Sequence, residues 1–407
     1  MLRLNRLATF GRPLRPADVA ALGPTAAQDV QRLLALCPAH RATALFGLPA
    51  LAQHLRVGEV YVKDESTRLG LGSFKALGGT YAMLRLVLEH ATERLNRPVL
   101  PREIENAEVR EVAREMTVCC ATDGNHGRAV AAAARFLGCS AVTFLHASVS
   151  PKRASAIEQR GATIVRVKGA YQDAVEAAAR EAEQQGWTLV SDTSWSGYER
   201  IPRLVAQGYT AMIREAVTDL PSAPTHVFVQ AGVGGLAAAV AGHLSLAYAG
   251  EKPLIVVVEA SRAACLYESV LAGRPVAVTS GEPTIMAMLD CQEPSLVAWQ
   301  VLERAAEAFM VVEEEDAIEA MRVLARPLGR DPAIVAGESG GVGLAGLLRA
   351  NGRPELREEL GLNERSSVLL INTEGAIDPD SYAQLVGAAP ADVLRDTGAR
   401  ACVTLRR

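Results

Sequence analysis

One lysine of the chain lies where a Gly-rich loop turns into a helix. The segment GSFKALGG spans residues 72–79, and apolar residues then recur at helical spacing from Leu77 to Leu88. Lys75 is therefore expected in the first helical turn, where unpaired N–H groups and the helix dipole favour anions and should lower the pKa of an ammonium. A lysine with a lowered pKa can act as an amine nucleophile. The alternative is an ordinary solvated lysine at a helix start, since short motifs also match by accident.

A second Gly-rich turn has the features of a phosphate-binding loop. The apolar run THVFVQ at 225–230 predicts a strand, and AGVGGLAAAV at 231–240 leads from it into a helix. Because glycine has no Cβ, several backbone N–H groups can turn toward one anion at the helix N-terminus. The predicted cradle consists of Gly232, Val233, Gly234, Gly235 and Leu236. The spacing is not GxGxxG, which argues against a dinucleotide fold, and a tightly packed glycine turn is the structural alternative.

These two segments, in this order, resemble the lysine segment and the phosphate loop of fold-type II pyridoxal-phosphate (PLP) enzymes. That family includes tryptophan synthase β, threonine dehydratase and cysteine synthase. In its members the lysine forms a Schiff base with the cofactor and the glycine loop holds the cofactor phosphate. The resemblance therefore implies PLP as the cofactor, with Lys75 as the catalytic lysine.

A polar segment at a third strand-to-helix junction, ATDGNHGRAVAAAARFLGC at 121–139, resembles the loop of this family that binds the substrate carboxylate. Asn125 matches the asparagine that contacts the ring hydroxyl of the cofactor. Many relatives have Ser or Thr where this chain has Asp123. A carboxylate beside a carboxylate-binding loop costs electrostatic repulsion, so we interpret Asp123 as a base that abstracts a proton. A helix N-cap is the alternative role.

The segment from Val190 to Met212 and the TDGNHG motif both resemble the diaminopropionate ammonia-lyases of this family. Asp192 follows the end of a predicted strand, where open α/β sheets bind ligands. It is interpreted as a partner for the second ammonium of the substrate, with a linker cap as the alternative. The substrate-binding residues implied by the resemblance are Ser73, Thr122, Asp123, Gly124, His126 and Asp192. His126 is interpreted as a loop histidine rather than a catalyst.

Two segments near the end of the chain, 337–347 and 371–376, resemble the closing segments of the family. Thr373 matches the hydroxyl residue that hydrogen-bonds the pyridine nitrogen of the cofactor. A hydroxyl there leaves this nitrogen largely unprotonated, which suits elimination at Cβ better than transamination. Glu338 and Ser339 are further candidates near the site.

The resemblance covers residues from about Thr43 to about Tyr382 and implies α,β-elimination of 2,3-diaminopropionate to pyruvate and ammonia. Lys75 would take the Cα proton of the L isomer, and Asp123 would take that of the D isomer from the opposite face. Two alternatives remain at this stage. One is a serine/threonine dehydratase or a related fold-type II lyase or synthase, and the other is a non-catalytic cofactor-binding protein.

Composition excludes several other kinds of function. The chain has 407 residues, a formal net charge of −4 and no basic face, which argues against nucleic acid as a partner. It lacks a membrane-spanning apolar run and a secretory signal, so a cytoplasmic protein is expected. No Cys or His spacing suggests a metal site, and a bridge between Cys265 and Cys291 is a minor possibility. The resemblance implies a homodimer.

The elements that must position these residues alternate between short apolar runs and amphipathic helices. This pattern predicts an α/β fold with mainly parallel sheets. The resemblance implies two three-layer αβα domains, a large one from 1–88 and 200–407 and a small one from 89–199, with the active site in the cleft between them. The region 263–294 is expected to be a mobile covering loop, and the tail after about residue 382 is expected to be loosely held. Residues 64–66 are interpreted as loop and cap residues.

Overall fold

The computed structural model describes residues 1–122, 124–169, 171–248, 250–279 and 281–398. The strands are β1 (Leu2–Leu4), β2 (Leu45–Gly47), β3 (Glu59–Asp64), β4 (Thr117–Ala121), β5 (Ser140–His146), β6 (Thr163–Val167), β7 (Thr188–Leu189), β8 (His226–Gln230), β9 (Leu254–Ala260), β10 (Ala308–Val312) and β11 (Ser367–Asn372). The first helices are α1 (Pro16–Leu22), α2 (Pro24–Leu34), α3 (Pro49–Leu55), α4 (Lys75–Arg94), α5 (Ala107–Arg114), α6 (Asn125–Leu137), α7 (Pro151–Glu158) and α8 (Tyr171–Gln185). The later helices are α9 (Arg200–Asp219), α10 (Gly235–Ala247), α11 (Cys265–Ala272), α12 (Leu296–Ala305), α13 (Glu314–Ala325), α14 (Val342–Asn351), α15 (Pro354–Glu359), α16 (Pro379–Val386) and α17 (Pro390–Gly398).

The larger sheet has seven strands in the order β1-β10-β9-β8-β11-β3-β2. Its inner pairs are parallel, and the edge strands β1 and β2 are antiparallel to their neighbours. Every residue of β8, β10 and β11 is buried, which agrees with strands covered by helices on both faces. The predicted α/β fold with mainly parallel sheets is confirmed.

The smaller sheet has four parallel strands in the order β6-β5-β4-β7. Its strands lie within residues 117–189. The two segments on either side of this range supply the strands of the larger sheet. The division of the chain into domains at residues 88 and 200 stays a prediction.

The helix that begins with Lys75 packs closely against α9 because both helices carry glycine at the contact. A Cβ on Gly78 would lie 2.6 Å from the carbonyl oxygen of Val205, and a Cβ on Gly208 would lie 2.7 Å from the Cα of Gly78. On the other side of α4, a Cβ on Gly79 would lie 2.9 Å from the Cβ of Ala129 in α6. The paired glycines after the lysine therefore let one helix contact two neighbours at short range.

A group of buried charges joins the segment before Lys75 to α9. Arg68 Nε lies 2.7 Å from Glu65 Oε2, and its Nη2 lies 2.6 Å from Glu215 Oε2. Lys63 Nζ lies 2.8 Å from the same Glu215 oxygen. The interpretation of residue 65 as a loop or cap polar is wrong, because its side chain is fully buried and ion-paired. These contacts fix the path of the chain from β3 toward α4.

Two regions expected to be mobile or loosely held contain helices, and their mobility stays a prediction; residue 280 and residues 399–407 lie outside the described part of the chain. The region 263–294 contains the helix α11, whose Leu266 is fully buried. The segment after residue 382 forms the end of α16 and then α17, and Tyr382 and Val393 pack with Met321 in one apolar cluster. Among the residues that the structure describes, no helix is both long and apolar enough to cross a bilayer.

Candidate active site

The predicted site residues meet around one cavity of about 790 Å³, part of which opens to solvent. The predicted residues that line it are Lys75, Thr122, Gly124, Asn125, His126, Asp192, Gly232, Val233, Gly234, Gly235, Leu236 and Thr373. Ser73 is buried beside the cavity, where it pairs with Glu374 as an antiparallel bridge. Asp123 lies outside the described residues. The lysine and the glycine loop therefore face the same space.

The fold brings these residues together through the carboxyl ends of parallel strands. β4 ends before Thr122, β8 before the glycine loop and β11 before Thr373. The helices α4 and α10 follow strands of the larger sheet and α6 follows a strand of the smaller one, with Lys75, Gly235 and Asn125 as their first residues. Ligands of open α/β sheets bind at the carboxyl ends of the strands, where helix N-termini direct free N–H groups into the crevice.

Lys75 and Asp192 form an ion pair inside the cavity, with Lys75 Nζ donating to Asp192 Oδ2. Burial alone would lower the pKa of Lys75, but the charge of Asp192, its hydrogen bond to the lysine and the nearby Tyr209 together outweigh burial and raise this pKa above its ordinary value. The expected lowering is therefore wrong for this arrangement. Burial would raise the pKa of Asp192, but the charges of Lys75 and His126 hold it well below its usual range. The cavity thus contains a paired ammonium and carboxylate.

Side chains at two positions of the glycine loop would collide with or crowd neighbouring residues, so the loop needs glycine there. A Cβ on Gly232 would lie 2.8 Å from Cys291 Sγ. Gly234 has φ +96°, and a Cβ there would lie 3.1 Å from the side chain of Leu266. The first-turn N–H groups of α10 have no partner within the helix. Backbone N–H groups, an amine, an amide and a hydroxyl around one cavity fit the phosphate, aldehyde and ring groups of PLP.

The model of a family described as "Pyridoxal-phosphate dependent enzyme" matches residues 36–374. The chain belongs to this family of PLP-dependent enzymes. The resemblance stated from the sequence is confirmed, and so is PLP as the cofactor.

Two similar proteins and one solved structure have the same activity in their names. The chain is 40% identical to the diaminopropionate ammonia-lyase of Escherichia coli (strain K12) over 354 residues, which are 85% of this chain and 87% of that protein. It is 37% identical to the diaminopropionate ammonia-lyase of Salmonella typhimurium (strain LT2) over 359 residues, 86% of this chain and 89% of that protein. A crystal structure of the E. coli enzyme in complex with an aminoacrylate-PLP azomethine reaction intermediate matches 95% of this chain and 96% of that chain, with a TM-score of 0.85 and 36% identity.

In this PLP-dependent enzyme, Asn125 is held by two charged side chains. Its Nδ2 donates to Glu374 Oε2, and its Oδ1 accepts from Arg128 Nη2. Burial and the nearby Glu338 raise the pKa of Glu374 to about 7, against the opposing effects of Asn125 and Arg128. Sequence reasoning missed Glu374 and Arg128 as site residues. Both residues lie in segments that carried the resemblance, Arg128 within 121–139 and Glu374 directly after Thr373, and this was the available signal.

His126 and Thr122 shape the start of α6. His126 Nε2 lies 2.8 Å from the carbonyl oxygen of Val190, so this nitrogen must donate. Thr122 Oγ1 accepts from the N–H groups of Gly124 and Gly127, each at 3.1 Å. These bonds tie the loop to the segment that carries Asp192. His126 is the second residue of α6, so its interpretation as a loop residue is wrong, while its structural rather than catalytic role stays a prediction.

The cysteines near the glycine loop form no bridge through Cys265. Cys265 is a free cysteine, and its Sγ lies 3.7 Å from the carbonyl oxygen of Gly232. Burial, followed by the charge of Glu259, raises the pKa of this thiol well above its ordinary value. The disulfide considered from the sequence is not present in the structure.

A pair of glycine substitutions tests whether the packing of the glycine loop requires glycine at residue 234. Gly234→Ala should lower the free energy of unfolding of the cofactor-free protein by about 1–3 kcal/mol, because it forces a side chain into a left-handed conformation and a crowded space. Gly235→Ala is the matched control, since its Cβ would make only an ordinary contact of 3.7 Å, and we expect a change within about 0.5 kcal/mol. Urea unfolding of both variants measures the difference, and equal stabilities would contradict the prediction.

Proposed function

We propose that this chain is a PLP-dependent carbon–nitrogen lyase that converts 2,3-diaminopropionate to pyruvate by α,β-elimination, with both nitrogens released as ammonia. The observation that carries the proposal is the carboxylate of Asp192 paired with Lys75 inside the cavity that the glycine loop lines. A fixed carboxylate suits a substrate with two ammonium groups, because one group can pair with it while the other reacts. Serine and threonine have only one ammonium group. The names of the similar proteins support the same activity.

The residues around the cavity would hold the cofactor at each of its polar groups. Lys75 would bind it covalently through its amine, and the backbone of residues 232–236 would hold its phosphate. Asn125 would contact the ring hydroxyl, and Thr373 would contact the pyridine nitrogen. When bound, PLP supplies an electron sink for the bonding electrons at Cα.

The chain itself would bind the substrate and move its protons. The N-terminus of α6, with Thr122 and Gly124, would hold the carboxylate. The second ammonium would replace Lys75 at Asp192, which removes the charge that raises the lysine pKa. Lys75 can then lose its proton and act as the base at Cα of the L isomer, while the second ammonium, which is already protonated, would leave as neutral ammonia. The elimination leaves a three-carbon enamine, and water would hydrolyse this enamine to pyruvate and the second ammonia.

Asp123 would serve as the base for the D isomer from the opposite face. We expect Asp123→Asn to lower pyruvate formation from the D isomer by roughly a hundredfold or more, since a positioned general base contributes about 10²–10⁴-fold. Activity on the L isomer should stay within a few-fold, because Lys75 is retained. The exposed Asp219→Asn is the control. Equal losses on both isomers would refute the assignment of two bases.

A substrate comparison tests the function as a whole. Pyruvate or the corresponding 2-oxo acid should be assayed from both isomers of 2,3-diaminopropionate, from L-serine and from L-threonine. The proposal requires the diamino acid to have the highest kcat/KM. A preference for the hydroxy amino acids would support the alternative, a serine/threonine dehydratase or a related fold-type II lyase or synthase.

Three further features of the proposal rest on the resemblance. We expect a homodimer that acts in the cytoplasm, with residues 1–88 and 200–407 as a large domain and residues 89–199 as a small one. Closure of the small domain would exclude water from the cavity during the reaction. Sedimentation of the purified chain measures whether it forms a homodimer.

A further inference from the structure

Gln230 is the last residue of β8 and directly precedes the glycine loop. It lines the cavity but is only 2% exposed. Its Nε2 lies 2.6 Å from the carbonyl oxygen of Gly340, 3.1 Å from that of Ile371 and 3.2 Å from that of Ser339. The same nitrogen lies 3.0 Å from Thr373 Oγ1. One amide group therefore contacts both the turn before α14 and the hydroxyl at the end of β11.

The three carbonyl oxygens fix the orientation of this amide. Carbonyl oxygens only accept hydrogen bonds, so the end of the Gln230 side chain that faces them must be the NH₂ group. This orientation leaves Oε1 buried without a hydrogen-bond partner among the described residues. A buried unsatisfied oxygen costs free energy. In this orientation the two hydrogens of the NH₂ group are shared among the three carbonyl oxygens and Thr373 Oγ1.

The orientation of Gln230 decides what the hydroxyl of Thr373 can do. An amide nitrogen is a donor and not an acceptor, so the hydroxyl cannot donate to Gln230 and its oxygen accepts instead. The described part of the chain offers this hydroxyl no other hydrogen bond. Because Thr373 lines the cavity, it can donate its hydroxyl proton to a hydrogen-bond acceptor on a ligand in that cavity.

We infer that Gln230 is a positioning residue that commits Thr373 to donate its hydroxyl proton to the pyridine nitrogen of the cofactor. This inference rests on the proposed function, in which Thr373 contacts that nitrogen. A nitrogen that accepts this proton in a hydrogen bond is itself unprotonated. Gln230 would thus keep the pyridine nitrogen of the cofactor unprotonated without contacting the ring.

Removal of the amide reverses these constraints. In Gln230→Met the side chain keeps its length but has no donor, so the three carbonyl oxygens lose their partner and compete for the hydroxyl proton of Thr373. The contact with the pyridine nitrogen should then weaken. We expect an increase of roughly tenfold in the dissociation constant for PLP, the effect of one hydrogen bond of ordinary strength.

The decisive experiment is ¹⁵N NMR of the chain loaded with PLP labelled at the ring nitrogen. The wild type should show the resonance of an unprotonated nitrogen that accepts a hydrogen bond. Gln230→Met should move this resonance in the same direction as Thr373→Val, which removes the hydroxyl. Gln300→Met, at another buried glutamine that does not line the cavity, should leave both the resonance and the affinity unchanged.

Several results would overturn the inference. A protonated ring nitrogen in the wild type would overturn the inference. This measurement needs no variant, so it does not depend on whether Gln230→Met folds. A shift in Thr373→Val with no shift in Gln230→Met would reduce Gln230 to a structural role. A wild-type chain that binds no PLP would overturn the proposed function together with this inference. A chain that binds PLP and forms pyruvate, but lacks the Gln230 effect, would overturn the inference alone.

Discussion

Lys75→Ala is expected to lower the rate of pyruvate formation from L-2,3-diaminopropionate by roughly a thousandfold or more, a loss within the range of a missing general base combined with a missing covalent link. Lys75 is the only lysine among the described residues that line the cavity, so no neighbouring amine can replace it. The substitution also leaves Asp192 as a buried carboxylate without its partner. PLP should therefore bind more weakly as well as react more slowly.

The assignment of the covalent site can be measured apart from activity. Borohydride reduction of the loaded wild type should fix one pyridoxyl group on the peptide that contains Lys75, and mass spectrometry should find no such group in Lys75→Ala. Lys168→Ala, at an exposed position, should retain the wild-type rate and labelling. Labelling of a different lysine in the wild type would contradict the assignment. A rate in Lys75→Ala above about a tenth of the wild-type rate would contradict the role of its amine as the base.

The strands and loops of the site could be predicted because each segment carries a local pattern. Strands buried on both faces appear as short apolar runs, and Gly-rich or polar residues follow β4, β8 and β11 at the edge where ligands bind. The position of Lys75 at the first residue of α4 was predictable for the same reason. Local pattern thus located the cavity and the residues that line it.

The interactions among these residues were not predictable, because they join positions far apart in the chain. Asp192 lies 117 positions after Lys75, and its charge reverses the pKa shift that the helix N-terminus alone predicts. Glu374 lies 249 positions after Asn125. Gln230 contacts Thr373 across 143 positions. No local period or motif relates such pairs, so the electrostatics of the site depend on the packing of the sheets.

The same limit applies to the buried charges behind the site. Glu65 and Arg68 lie in the loop between β3 and α4, where polar residues are normally solvated. They form a buried charged group because Glu215 on α9 packs against them. Lys63 Nζ also donates to the carbonyl oxygen of Thr43 at 2.7 Å. The loop that leads to Lys75 is thus anchored by long-range ion pairs to Glu215 in addition to its local hydrogen bonds.

Arg68→Met should lower the free energy of unfolding by about 3–5 kcal/mol, the usual effect of removing one partner from a buried ion pair. Arg68 is fully buried and donates to both Glu65 and Glu215, so its loss leaves two buried carboxylates, of which Glu215 keeps an ion pair with Lys63. Urea unfolding measures the change. Arg94→Met, in a pair with Glu115 whose side chains are 56% and 50% exposed, is the matched control and should change stability by no more than about 1 kcal/mol.

A second substitution separates the loss of charge balance from the loss of packing. Glu65→Gln added to Arg68→Met removes one of the two unbalanced carboxylates, so the double variant should recover about 1–2 kcal/mol relative to Arg68→Met alone. If the loss came from the shape of the arginine side chain, the double variant would be no more stable than the single one. Recovery would establish that the loop before Lys75 is held by the balance of buried charges. In that case PLP affinity should be weakest in Arg68→Met and partly restored in the double variant, because Lys75 follows this loop directly.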